Sequence, residues 1–385
     1  MAFRTNLLTS SVFIALLAGP AFAAGNTVTI GIPIGLSGAN SVVAPSVLQA
    51  TELAIEEINA EGGVLGKKLV MEVADDASGA AGAQKAYDAL AFQKKVDAVI
   101  AMETSAARNA GLPIITRSKT PMIYTSFYEG KSCNKYMYVN AWVPEQQVAP
   151  IVDYFMDALN GKTFFLVGSD YAFGRGMLAF TKAYIEKRGG KVVGDEYNPI
   201  DATDWTAIIS KIRSTNPDAI ITSTAAGAPN VTLTKQLRSA GIKAHYGNYA
   251  LDEGTAQNMG SEAKDIYLVG SYFTGIDSAE NRSFLASMKK KFGPDMKTPN
   301  ELSVPQYDAV HLYALAVKQA GSTAADAVTK ALAEVSFKGP RGKIQMSKQH
   351  HAPLTMYIAQ VSEDGSVKII RSFQDLDPGE QCPKL

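Results

Sequence analysis

Two segments of this chain gather side chains suited to gripping a small solute. One runs from Pro121 to Gly130 and ends in Tyr124, Thr125, Ser126, Phe127, Tyr128 and Glu129; the other runs from Phe164 to Gly174 and ends in Ser169, Asp170, Tyr171, Ala172 and Phe173. In each, an apolar β-prone run stops at hydroxyls and aromatic rings. Hydroxyls exchange hydrogen bonds with a polar group and rings cover apolar surface, and ligands of open parallel sheets sit just outside the carboxyl ends of the strands. Neither segment pairs a nucleophile with a base. Gly35-Leu36-Ser37-Gly38 does not fit the G-x-S-x-G elbow, and Gly31, Gly35 and Gly38 lack the G-x-G-x-x-G spacing. The four histidines, His245, His311, His350 and His351, are too scattered to read as a metal site. The expectation is a binder without cofactor or metal, not an enzyme; an exported amidase is the enzymatic alternative.

The elements that position these residues alternate. Thr27–Ile32 reads as a strand, followed by a helix near Pro45–Ala60 with Leu48, Thr51, Ile55 and Ile58 at helical spacing, stopped by Gly62-Gly63. Strands at Leu69–Val73, Val96–Ala101 and Pro121–Tyr124 are separated by helices at Ala81–Lys95 and Ala106–Gly111. The pattern restarts with a helix at Glu145–Leu159, and strands at Thr163–Val167, Lys191–Glu196, Ala219–Thr222 and Ile266–Gly270 carry helices between them. Such alternation predicts parallel sheets built from βαβ units. Helices near Ser278–Phe292 and Gln306–Ala320 are expected to return to the first lobe, and the β-rich tail, Thr355–Val361 and Val367–Phe373, to close the second. The fold class is therefore α/β, two doubly wound parallel-sheet lobes joined by a hinge: residues 24–142 plus 275–345, and 143–274 plus 346–385.

Composition agrees with two lobes, since 385 residues exceed what one hydrophobic core usually serves. Residues 1–23 read as an export signal: Arg4, a short apolar core from Val12 to Ala18, and Ala21-Phe22-Ala23 as a cleavage site. The apolar core is shorter than the roughly 20 residues that span a bilayer. A periplasmic protein, cleaved after about Ala23, is expected. Without Arg4, 36 basic residues stand against 37 acidic ones, and no basic face for nucleic acid is implied. Cys133 and Cys382 are the only cysteines. In an oxidising compartment an isolated pair suggests a disulfide; two free thiols are the alternative.

The export signal, the Asn59-(x)2-Gly62-Gly63-(x)2-Gly66 turn and the strand ending in Asp75 resemble type I periplasmic solute-binding proteins, the capture subunits of ABC importers for branched-chain amino acids and their relatives. Tyr128-Glu129-Gly130, Gly168-Ser169-Asp170-Tyr171, Asp204-Trp205 and His350-His351 look most like the amide- and urea-binding branch. The resemblance implies a monomer that captures a small polar nitrogen-containing solute by hinge closure and hands it to a membrane permease; a ligand sensor on the same scaffold is the alternative. It implies ligand contacts at Ser105, Tyr124, Ser126 and Phe127 on one lobe, at Tyr171 and Phe173 on the other, and at Asp252 or Glu253 for an ammonium group. Where that branch carries an aromatic residue two positions before the serine, this chain has Glu103. A carboxylate shielded from water is costly unless paired, so Glu103 points to a cationic or NH-rich ligand. Its pairing with Arg108 or a lysine is the alternative.

Overall fold

The computed structural model describes residues 27–385, so the proposed export signal lies outside the described residues. The first lobe is laid down as β1 (Thr27–Ile34), α1 (Ala44–Ala60), β2 (Lys68–Asp75), α2 (Ala80–Asp88), β3 (Ala98–Ala101), α3 (Ser105–Ser118), β4 (Met122–Tyr124) and β5 (Met137–Val139). The second follows as α4 (Pro144–Asp153), β6 (Thr163–Ser169), α5 (Ala172–Lys187), β7 (Lys191–Asn198), α6 (Thr206–Thr215), β8 (Ala219–Ser223), α7 (Ala228–Ser239), β9 (His245–Asn248), α8 (Glu253–Met259) and β10 (Ile266–Gly270). The chain then makes α9 (Ala279–Phe292), α10 (Ser303–Ala320), α11 (Ala325–Leu332) and the hairpin β11 (Phe337–Gly339) and β12 (Gly342–Ile344). It ends with β13 (Leu354–Val361) and β14 (Val367–Leu376).

The first sheet has the order β2-β1-β3-β4-β5 and is parallel throughout. The second has the order β14-β13-β10-β9-β8-β6-β7; β13 and β14 join it antiparallel. Helices α1 and α10 pack together, as do α2 and α3. The inner parallel strands β3, β6, β8 and β10 are buried along nearly their whole length, which is why they read as unbroken apolar runs such as Phe164–Val167 and Ala219–Ile221, whereas the edge strands β2 and β7 are only partly covered.

Each sheet reverses its strand order once, between β1 and β3 in the first and between β6 and β8 in the second. At such a point neighbouring loops diverge and leave a crevice at the carboxyl ends. The two crevices face each other. Gly227, at φ 91°, rests so close to the Ala39 carbonyl that an added Cβ would meet that oxygen at 2.2 Å. The lobes are therefore in contact over the cleft.

Three segments cross between the lobes: 140–143, 271–278 and 345–353. Arg341, at the β11–β12 turn, ties two of them to the first lobe. Its guanidinium donates to Asp308 Oδ2 (2.6 Å), Ser271 Oγ (3.0 Å) and the Asn140 carbonyl (2.7 Å), wholly shielded from solvent. Cys133 and Cys382 form a disulfide across 249 residues, with Cα atoms 5.6 Å apart.

The third helix departs from its expected bounds. It continues from Ser105 to Ser118 through Pro113, where Gly-Leu-Pro reads as a stop. Gly111 lets the Tyr87 ring of α2 come within contact of the α3 backbone, since a Cβ there would sit 2.5 Å from the ring. Packing against α2 outweighs the one missing donor.

Candidate ligand-binding site

The cleft encloses a cavity of about 20 Å³ bordered by Asn40, Glu103, Ser105, Ser126, Phe127 and Tyr171 among others. Apart from Leu302, the walls are strand ends. Asn40 follows β1, Met102–Ser105 follow β3, Ser126 and Phe127 follow β4, Tyr171 and Phe173 follow β6, and Ala226 follows β8.

Helix α3 supplies the polar end. Thr104 is its N-cap and accepts from the Ala107 amide at 3.2 Å. The amides of Ser105 and Ala106, in the first turn, have no partner within the helix, and the helix dipole adds partial positive charge there. Ser105 Oγ donates to Glu129 Oε2 at 2.6 Å and accepts a long contact from Arg108 Nη1 at 3.5 Å. Ser126 Oγ accepts from the Glu103 amide at 3.0 Å, which leaves its own proton for an acceptor. An oxygen-bearing group fits against these atoms.

The apolar end is a stack of rings. Phe127 lies parallel to Trp142 with centroids 4.3 Å apart and is tilted against Phe173 at 5.3 Å. Tyr171 adjoins Phe173 at 6.0 Å. Trp142 sits in the first crossing segment, so the ring stack joins hinge, first lobe and second lobe.

Behind the cavity lie the charged groups. Arg108 is buried, pairs with Glu129 Oε1 at 2.6 Å, and lies over the Tyr128 ring at 4.6 Å and the Tyr124 ring at 5.1 Å. Glu103 does not pair with Arg108. Tyr87 donates to Glu103 Oε1 at 2.5 Å, while Oε2 has no partner among the described residues. Burial pushes the Glu103 carboxyl well up, the nearby charge of Asp76 pushes it further, and Tyr87 opposes both. Burial likewise lifts Asp76 to about 6 despite the Ser78 amide that it accepts. Like charges this close titrate as a pair.

Of the residues expected to meet ligand, the structure brings Glu103, Ser105, Ser126, Phe127, Tyr171 and Phe173 to one cavity. Tyr124 sits one layer behind, donating to the Glu103 carbonyl at 2.9 Å. Asp252 is placed elsewhere: it caps α8 through the Thr255 amide and accepts from Asn300 at 3.0 Å. Glu253 accepts from the Thr274 amide at 2.8 Å. Ser37 donates to Asp75 Oδ2 and stands outside the lining, whereas Asn40, three residues on, is in it. Leu302, before α10, also lines the cavity. Asp170 and Arg175 pair with each other at 2.5 Å, about half exposed. His350 and His351 are buried: His350 contacts the Met137 carbonyl and His351 the Tyr128 hydroxyl. Among the described residues no cluster of side chains could hold a metal, and no helix is long and apolar enough to cross a membrane.

A family profile described as "Periplasmic binding protein" matches residues 27–366. The chain belongs to that family. Its members of this kind, type I solute-binding proteins, serve as the substrate-binding subunits of ABC importers and reside in the periplasm. Leu/Ile/Val-binding protein homolog 6 of Brucella melitensis is 25% identical over 284 residues, covering 69% of this chain and 72% of that one. Homolog 1 of the same organism is 24% identical over 353 residues, covering 88% and 91%. Among solved structures, the branched-chain amino acid transporter substrate binding protein LivJ of Streptococcus pneumoniae, in complex with isoleucine, superposes with a TM-score of 0.79 at 26% identity, covering 90% of this chain and 99% of its own. A solute binding protein of Rhodopseudomonas palustris in complex with 3,4-dihydroxybenzoic acid gives 0.82 at 25% identity, covering 92% and 99%.

Proposed function

We propose that this protein captures a small polar nitrogen-containing solute in the periplasm by closing its two lobes, and delivers it to the permease of an ABC importer. The observation that carries this reading is a pair of acceptors at the cavity, Asn40 Oδ1 and Glu103 Oε2, that have no donor among the described residues. Buried acceptors are nearly always satisfied, so a solute bearing N–H donors fits them. Its oxygen end rests on Ser126 and the start of α3, and its remaining surface lies against Phe127, Tyr171 and Phe173. Ser105 and Ser126 hold it first on lobe one; Tyr171 and Phe173 then arrive with lobe two. Contacts to both lobes at once supply the differential affinity that closure needs. The narrow cavity favours the smaller candidates, such as a short amide, urea or a compact amino acid. The isoleucine complex of the Streptococcus pneumoniae relative supports an amino-acid-like solute.

The ring stack favours a second reading, an aromatic carboxylic acid, as in the Rhodopseudomonas palustris relative. A sensor on the same scaffold is the remaining alternative, and co-purification with a permease separates the two. The deciding experiment is a thermal-shift screen of the mature protein, stripped of endogenous cargo, against amino acids, short amides, urea, guanidino compounds and aromatic acids. Ligand at about 100 times its Kd adds roughly 2.7 kcal/mol, which raises the midpoint by several degrees. A response to nitrogen compounds supports the proposal; a response confined to aromatic acids replaces it with the second reading.

A further inference from the structure

Glu129, in the loop between β4 and β5, stands between the two lobes behind the cavity wall. Its Oε1 accepts from Arg108 Nη2 at 2.6 Å and its Oε2 from Ser105 Oγ at 2.6 Å. Ser105 and Arg108 stand one turn apart on α3, so a single carboxylate spans that turn. Arg108 is itself held firmly: its side chain is 1% exposed, it lies over the Tyr124 and Tyr128 rings, and its Nε and Nη2 also donate to Asn109 Oδ1. From the second lobe comes Gly176 of α5, the helix whose start carries the cavity residues Tyr171 and Phe173. A Cβ at Gly176 would lie 2.5 Å from the Glu129 Cβ and 3.1 Å from its Cγ, so only a bare backbone lets α5 seat there.

This arrangement fixes which way the Ser105 hydroxyl points. A hydroxyl has one proton to give and two lone pairs. A carboxylate paired with a guanidinium only accepts, so the Ser105 proton goes to Glu129. Arg108 Nη1 makes a contact of 3.5 Å with the same oxygen, long for a hydrogen bond, and the other lone pair is left for the cavity that Ser105 lines. Ser105 therefore meets a solute as an acceptor. Ser126 is set the opposite way, because it accepts from the Glu103 amide and keeps its proton for the solute. One solute thus finds a place for an N–H at Ser105 and a place for an oxygen at Ser126.

We propose that Glu129 is a positioning residue that sets the specificity of the cleft: it holds Ser105 as an acceptor, and α5 seats on it through Gly176 when the lobes close. This deepens the nitrogen-solute reading and rests on it. A solute with an N–H at the Ser105 end gains a hydrogen bond, whereas its oxygen isostere brings one lone pair against another.

The test is calorimetric titration of the mature protein with three matched pairs, in each of which an N–H donor is exchanged for oxygen: acetamide and acetate, benzamide and benzoate, L-isoleucine and 3-methyl-2-oxopentanoate. The unchanged protein should prefer the N–H member of at least one pair by roughly 10-fold or more. In Glu129→Gln, Arg108 still requires an acceptor and takes the amide oxygen, which turns the amide NH2 onto Ser105 Oγ and frees the Ser105 proton for the solute. The preference should then shrink roughly 10-fold or reverse. Equal losses for both members mean that Glu129 serves the fold alone, and an unchanged preference means that it sets no polarity; either overturns the inference and leaves the nitrogen-solute reading standing. Gly176→Ala separates binding from folding. Alanine favours a helix interior, so the free protein should melt no lower, while affinity for the preferred member should fall roughly 10-fold or more. Undiminished affinity in that variant overturns the seating of α5 on Glu129. A preference of the unchanged protein for the oxygen members removes the nitrogen-solute reading together with the inference, and failure of all three pairs to bind counts against both.

Discussion

Replacing Arg341 by Met should destabilise the protein severely, and the structure sets the size of the effect. Arg341 and Asp308 are both shielded from solvent, and the guanidinium fills Asp308 Oδ2, Ser271 Oγ and the Asn140 carbonyl together. Met matches the length of the aliphatic stem but offers no donor. Asp308 is then an uncompensated buried charge, and its Oδ1 already lacks a partner among the described residues. Removing one member of a buried pair costs about 3–5 kcal/mol. At roughly 2 °C per kcal/mol for a chain of this size, the midpoint should fall by about 8 °C. Burial already raises the Asp308 carboxyl, with Arg341 opposing, so the variant should be hurt more at pH 8 than at pH 5, where Asp308 can take up a proton. Urea unfolding followed by tryptophan fluorescence is the assay, because Trp142 reports the hinge and Trp205 the second lobe. Asp308→Leu in the same chain should recover much of the loss, as an apolar pair needs no compensation. A loss below about 1 kcal/mol, or a double variant no better than the single one, would refute the reasoning.

Other outcomes follow from the same contacts. His351 is held neutral, its Nδ1 donating to the Gln349 carbonyl and its Nε2 accepting from Tyr128; burial lowers it to about 4 from an ordinary 6.5. The unfolded chain binds that proton first, so stability should drop as pH falls from about 6.5 towards 4, by up to about 3 kcal/mol, and His351→Gln should flatten this slope in melts across pH. Reducing the disulfide releases a loop of 249 residues and should cost up to about 5 kcal/mol, read as a lower denaturation midpoint with dithiothreitol than without. Tyr171→Ala removes a lobe-two wall and should weaken solute binding roughly 10-fold or more with little change in the unliganded melting temperature; equal losses of both would assign the ring to the fold instead. Gly227→Val should hinder closure, since its Cβ would run into the Ala39 carbonyl, and should slow solute capture in stopped-flow fluorescence.

Much of the fold is visible in the sequence because several inner parallel strands are buried on both faces and announce themselves as apolar runs, as Phe164–Val167 does. Helix α6 is equally plain, with Ile208, Ile209 and Ile212 all buried on one face. The strands that escaped notice lack such a run. β5 is three residues long, and β9 reads His-Tyr-Gly-Asn, too polar for a strand by composition and held by its neighbours β8 and β10. In the site, the hydroxyls and rings were legible because strand ends in a doubly wound sheet are fixed by topology. Asn40 was not, because only the folded loop reveals that Ser37 turns to Asp75 while Asn40 turns inward. Nor could spacing show that Arg108 would choose Glu129 over Glu103, a choice set by side-chain geometry between the first turn of α3 and the β4–β5 loop.

The disulfide gives the molecule an unusual wiring. Cys133 precedes β5 and Cys382 lies just beyond β14, so everything from the first crossing to the last strand is enclosed in one covalent ring. The second lobe is therefore a bead strung on a closed loop rather than a pendant on a thread. A protease that cuts an exposed turn of that lobe once, for example near Gly189, yields a chain that still migrates as one piece until reductant is added. In a compartment that contains proteases, a nicked protein of this kind keeps both halves of its cleft at high mutual concentration and can go on closing around its cargo.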